Sequence, residues 1–99
     1  MTIAIYIEYE PKAGLHEALL ARVRQEARQC MGDDGCLRME VAVPQAGDDT
    51  RVHLVELWRD RAALEAHAVR PGHSHAWQEA LVARKRVSVC TVLESPAPR

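Results

Sequence analysis

Three histidines, His67, His73 and His75, fall within nine positions of the stretch AHAVRPGHSHAW, residues 66–77, which ends on one of only two tryptophans in the chain. Such a cluster has three physical meanings. Imidazoles that converge from one side hold a divalent metal. One imidazole beside a pocket takes or gives a proton near neutral pH. Otherwise the histidines are incidental to a pair of helices. The direction of each side chain decides between them.

Helical neighbours recur at three and four residues. In a helix over 61–69, Ala63, Leu64, His67 and Ala68 share one face, so His67 looks inward from an apolar stripe. In a second helix over 73–84, His73, Trp77, Ala80 and Leu81 share a face, while His75 joins Gln78 and Glu79 toward water. A metal site needs three or four ligands from one side, and His75 diverges with no nearby Asp or Cys to complete a set, so no metal is expected. That exclusion depends on the second helix starting as early as His73. His67 keeps two readings: a core histidine satisfied by a carbonyl, which the residues alone favour, or a pocket histidine able to move a proton. Trp58 and Trp77 are likewise core filling or pocket walls. The chain has no Phe, and Tyr6, Tyr9, Trp58 and Trp77 all lie on or face the expected sheet, where a flat aromatic ligand would stack.

The elements that position these residues are legible as periods. Residues 2–9 alternate, with Ile3, Ile5, Ile7 and Tyr9 on one face, and read as a strand. A turn at 11–14 precedes a helix in which Leu15, Ala18, Leu19, Val23, Ala27 and Cys30 form the apolar stripe, with Gly32 placed to close it. MGDDG is a turn. Residues 36–43 alternate, with Leu37, Met39, Val41 and Val43 on one face. PQAGDDT is a hairpin loop, and residues 52–58 form a strand apolar on both sides, hence covered on both sides. Asp60 caps the next helix, Pro71-Gly72 breaks it, and residues 87–93 make a fourth strand.

The order is that of an α+β, ferredoxin-like βαββαβ domain with an antiparallel sheet. One domain over 1–95 with a loose tail at 96–99 accounts for the whole length. Helices cover one face of such a sheet. The other face here carries Ala4, Tyr6, Cys36, Ala42, Val55 and Leu57, a patch that implies a homodimer with sheets face to face, a dimeric α+β barrel.

Composition narrows the rest. Hydrophobic residues make 47% and charged residues 27%, with net charge -1, so no basic face exists for nucleic acid. Arg84-Lys85-Arg86, the densest basic run, reads as a helix C-terminus. No apolar run approaches the roughly 18 residues of a membrane span. MTIAIYIEYE lacks a basic leader and is not a signal peptide, and the odd, unpaired set Cys30, Cys36 and Cys90 points to reduced thiols in a cytoplasmic protein.

VHLVELWRDRAALEAHAVRPGHSHAW, preceded by GDDGCLRMEV and PKAGLHEALLARVRQ, resembles the antibiotic biosynthesis monooxygenase family. The match runs from about residue 3 to 94 and consists of the turn at 11–14, Gly35-Cys36, Glu56 and Trp58 at the end of the third strand, Ala63 to His67 on the following helix, and a Pro-His segment that Gly72 here interrupts. That insertion bears on His73 more than on His67. Relatives that degrade haem use an Asn, a Trp and a His where this chain has Ile7, His67 and Trp77, so haem degradation is not implied.

What the resemblance implies is oxygenation of a quinol- or anthrone-like aromatic by O2 in a homodimer, without metal, flavin or other cofactor. His67 would then be the base, Trp58, Trp77 and His73 would line the substrate pocket, and Glu56 would orient a neighbour. Two other functions remain open on this fold: a non-enzymatic dimeric module that binds a small apolar molecule, and an oxygen-independent isomerase.

Overall fold

A computed structural model describes residues 1–96; the tail expected at 96–99 lies, beyond Pro96, outside the described residues. The chain runs β1 (Ile3–Pro11), α1 (His16–Cys30), β2 (Cys36–Ala42), β3 (Val52–Trp58), α2 (Arg61–Ala68), α3 (Trp77–Leu81) and β4 (Val82–Thr91). The four strands form one antiparallel sheet in the order β2-β3-β1-β4, with the helices on one face. This is the expected ferredoxin-like α+β fold.

Strand pleating sends alternate side chains to opposite faces. On β1, Ile3, Ile5, Ile7 and Tyr9 turn to the helices and are buried, whereas Tyr6 on the other face is 50% exposed. β3 adds Val52, Leu54 and Trp58 to the same inner layer, and α1 lays Leu19, Val23 and Ala27 on it. Each large apolar side chain buried there contributes about 1.5–3 kcal/mol. The 15 residues of α1 therefore hold chiefly by their packed stripe, because no side chain caps the helix start.

Two expectations are corrected. The alternation in β2 slips: a bulge between Cys36 and Arg38 puts Cys36, Met39 and Val41 against the core and leaves Leu37 exposed. A bulge spends one extra residue without advancing the ladder, so the period shifts at that point. Cys36 thus leaves the open face and Leu37 joins it. The second correction lies near the C-terminus. α3 has five residues, not twelve, because Val82 is already extended at φ -107 and ψ 124. Val82 pairs with Pro11, and residues 84–86 lie on β4 instead of ending a helix.

Candidate active site

Asp60 starts α2 by accepting a hydrogen bond from the Ala63 amide at 2.9 Å, which fixes the phase of the helix. With that phase, Ala63 and His67 form its buried face, and His67 is 7% exposed. Its ring tilts against the Trp58 ring at 4.6 Å between centroids. Trp58 ends β3 and is fully enclosed. Its indole N–H donates to Glu56 Oε1 at 2.9 Å, satisfying the one polar atom of a buried tryptophan.

The turn after α1 supplies a partner that sequence reasoning missed. Asp33 Oδ2 contacts His67 Nδ1, and its Oδ1 accepts from Arg70 Nη1 at 2.5 Å. On the other side of the ring, Nε2 faces Cys30 Sγ at 3.8 Å, and that sulfur lies 4.0 Å from Glu26 Oε1. Glu26 is itself buried and paired with Arg22 at 2.9 Å. The paired aspartates of MGDDG were the available signal, since turn composition alone does not say where a carboxylate points.

Cys30, His67 and Asp33 have the connectivity of a nucleophilic triad, but the electrostatics oppose it. Burial, followed by the Glu26, Glu56 and Asp33 carboxylates, pushes the Cys30 thiol up to about 12. The residue also closes a helix, at the negative end of the dipole. A protonated, enclosed thiol is not an activated nucleophile.

The histidine cluster is tighter than helical spacing implies. Because α3 begins at Trp77, residues 72–76 are irregular, and the condition that sent His75 away from the others does not hold. The His67 and His73 rings lie 4.2 Å apart, and those of His73 and His75 4.7 Å. These are ring-on-ring contacts. No group of three His, Cys, Asp or Glu side chains among the described residues has an arrangement that would hold a metal ion. His73 Nδ1 sits 3.6 Å from Glu26 Oε1, and both it and Trp77 Nε1 are buried without a hydrogen-bond partner. Burial, then repulsion from His67 and His75, keeps the His73 pKa below its ordinary value of 6.5. Burial, then Lys85, does the same for His75. Trp77 packs between the Tyr9 ring at 5.9 Å and the Arg22 guanidinium at 4.9 Å.

A family model described as antibiotic biosynthesis monooxygenase matches residues 2–80, a span that contains Asp33, Glu56, Trp58, His67, His73 and Trp77. The chain belongs to that family. Protein SO0527 from Shewanella oneidensis superposes with a TM-score of 0.80 at 26% identity, over 90% of this chain and 88% of that one. PA3566 from Pseudomonas aeruginosa gives 0.80 at 24% identity, over 94% and 95%. A proposed antibiotic biosynthesis monooxygenase from Deinococcus radiodurans gives 0.82 at 20% identity, over 100% and 99%, a likeness of fold. No curated protein matches.

In this family member the residues meet around a cavity of about 40 Å³, bounded by Tyr9, Glu26, Cys30, Glu56, His67, His73, His75, Trp77 and Lys85. That volume suits about one water molecule, not an aromatic ring. Lys85 arrives from β4, 5.7 Å from the Tyr9 ring, and burial lowers its pKa. Burial, then the Glu56 and Glu26 carboxylates, raises the Tyr9 phenol. Trp58, expected as a wall, is fully buried and does not line this cavity; it backs His67 from inside the core, on the β3 side of α2. On its far side His67 borders a wider cleft of about 310 Å³, shared with Asp33, Asp34, Arg59 and Arg70. His67 thus lines both the small cavity and the wider cleft. Chemically the arrangement sets a histidine ring beside Tyr9 and Trp77 in a space that, as it stands, is smaller than an aromatic ring.

Proposed function

We propose that the protein is a cofactor-independent monooxygenase of a quinol- or anthrone-like aromatic. The observation that carries the reading is His67, backed by the Asp33 carboxylate and standing in the wall of a cavity flanked by Tyr9 and Trp77. A hydroxylated aromatic that gives its proton to His67 becomes an electron-rich anion. Such an anion reduces O2 directly, so the site's tasks are to supply a base, exclude water and hold the anion. One oxygen atom ends in the product as a new C–O bond. The other leaves as water with two hydrogens drawn from the substrate, so no external reductant enters the balance. His73 Nδ1 and Trp77 Nε1, both without partners, are the groups that would hydrogen-bond the bound ring's oxygens. Glu56 acts at one remove by holding Trp58, which backs the base.

An aromatic ring needs more room than the small cavity has, so in this reading the segment between α2 and α3 opens to admit it. Its Val69 is 81% exposed, and Gly72 has a φ of 85° with open space around it. We further propose that the working unit is a homodimer. The uncovered face of the sheet carries Ala4, Tyr6, Leu37, Val55 and Leu57 around a hollow of about 310 Å³. A second copy is the simplest cover for it.

Oxygen uptake by chelator-treated protein, measured on hydroquinones, catechols and anthrones, tests the reading. Uptake above autoxidation that survives the chelator and falls at least about a hundredfold in His67→Ala, in the range of a lost general base, is expected. No uptake across the panel from folded protein would reject the oxygenase and favour a binding module or an isomerase.

A further inference from the structure

We propose that Asp33 is the positioning residue of this site: it fixes which nitrogen of His67 is free, and so makes Nε2 the base. The role rests on the reading of His67 as the base.

An ionised carboxylate has lone pairs and no hydrogen to give, so the nitrogen that meets it must be the one carrying N–H. Asp33 meets Nδ1. The remaining nitrogen, Nε2, then presents its lone pair on the cavity side, where the Cys30 thiol lies at 3.8 Å. A thiol is a weak hydrogen-bond donor and is easily displaced by a phenolic O–H.

Asp33 is held where it stands. Its amide donates to the Cys30 carbonyl at 3.0 Å, and its own carbonyl accepts from the Cys36 amide at 3.1 Å. Gly35, two residues on, has a φ of 84°, and a Cβ there would fall 2.3 Å from Ala63 Cβ. The turn therefore lies directly against α2, one helical turn before His67. The Gly35 carbonyl is tied in turn to the Arg59 amide at 2.8 Å. Finally, Arg70 occupies the second oxygen of Asp33, so both carboxylate oxygens are engaged and the side chain is held in place.

In the step itself the substrate O–H bond breaks, a new N–H bond forms at Nε2, and the electron pair stays on the phenolate oxygen. The resulting imidazolium lies between that anion and the Asp33 carboxylate. Without Asp33 the ring is free to carry its hydrogen on Nε2, where it cannot accept a proton from the substrate.

Histidine ring nitrogen shifts distinguish the two tautomers and the imidazolium, and the chain has only five histidines, so His67 is assigned by its absence in His67→Gln. The wild-type protein near pH 7 should show His67 with hydrogen on Nδ1 alone. Hydrogen on Nε2 alone, or on both nitrogens, overturns the proposal, and this measurement needs no substrate. In Asp33→Asn the signal should move toward the other tautomer. With a substrate found active in the uptake panel, kcat should fall at least about a hundredfold with KM within about threefold, in keeping with the loss seen when an orienting aspartate is removed from a catalytic histidine. Because the two residues act as one unit, His67→Ala/Asp33→Asn should be no slower than His67→Ala alone. An unchanged tautomer and a kcat loss under about twofold in Asp33→Asn reject the role. If no substrate is oxidised, the monooxygenase reading fails while the tautomer still decides the Asp33–His67 geometry.

Discussion

At the scale of single residues, the site combines one histidine backed by a carboxylate with two others whose pKa values lie below the ordinary one. The second pair has a thermodynamic consequence. His73 and His75 have native pKa values below the ordinary 6.5, so between the native and ordinary values the unfolded chain binds more protons than the folded one. Stability then rises with pH through that window, is unaffected by these groups above it, and is lost as pH falls below 6.5. Thermal melts from pH 8 to pH 5 should show a falling midpoint below 6.5, and His73→Gln should flatten the slope. A slope equal to that of the wild type would reject burial of His73 as its source. The inward direction of His67 was legible in the sequence because helical spacing is a local property. Its partner was not: Asp33 lies 34 positions away, and only the close packing of a turn on α2 brings the two together.

At the scale of elements, β1, α1, β3 and α2 could be read from period and caps, with Asp60 capping α2 as its position suggested. The misread parts are those where pairing overrode local pattern. Trp77, Ala80 and Leu81 have helical spacing, but the ladder with β1 captures the chain from Val82 onward. Lys85 consequently enters the cavity wall, while Arg84 and Arg86 pair with Glu10 and Glu8 at 3.8 and 3.9 Å. The turn at Gly35 makes a sharper prediction. Gly35→Ala incurs both a left-handed backbone and a collision with Ala63, whereas Gly72→Ala incurs the backbone cost alone. The first should destabilise by about 3 kcal/mol and the second by about 1 kcal/mol, read from denaturant midpoints at constant slope. Equal losses at the two positions would show that the turn yields to the added methyl.

At the scale of the whole molecule, the chain is a slab 39 × 37 × 19 Å, the thickness of one sheet and one layer of helices. With helices on one side only, Tyr6 and Leu37 remain half-exposed on the other. Val55→Glu places a charge amid that face without touching the helix-side core. Sedimentation should show wild-type dimer and variant monomer, with similar circular dichroism. A wild-type protein that sediments as a monomer at tens of micromolar would remove the dimer from the proposal. The face was visible in the sequence as alternation, although the bulge in β2 exchanged Cys36 for Leu37 within it.

The strand order leaves β4 at one border of the sheet, ten residues long and exposed along nearly all of them. Its free backbone groups are a template on which another strand could add. Arg84 and Arg86 meet any such strand with two highly exposed cations, but residues 87–91, VSVCT, are uncharged and mostly β-branched. Resistance to aggregation is therefore built into half of this border. Salt, which screens exposed charge within about 10 Å at 0.1 M, erodes the guarded half and leaves the other as it was.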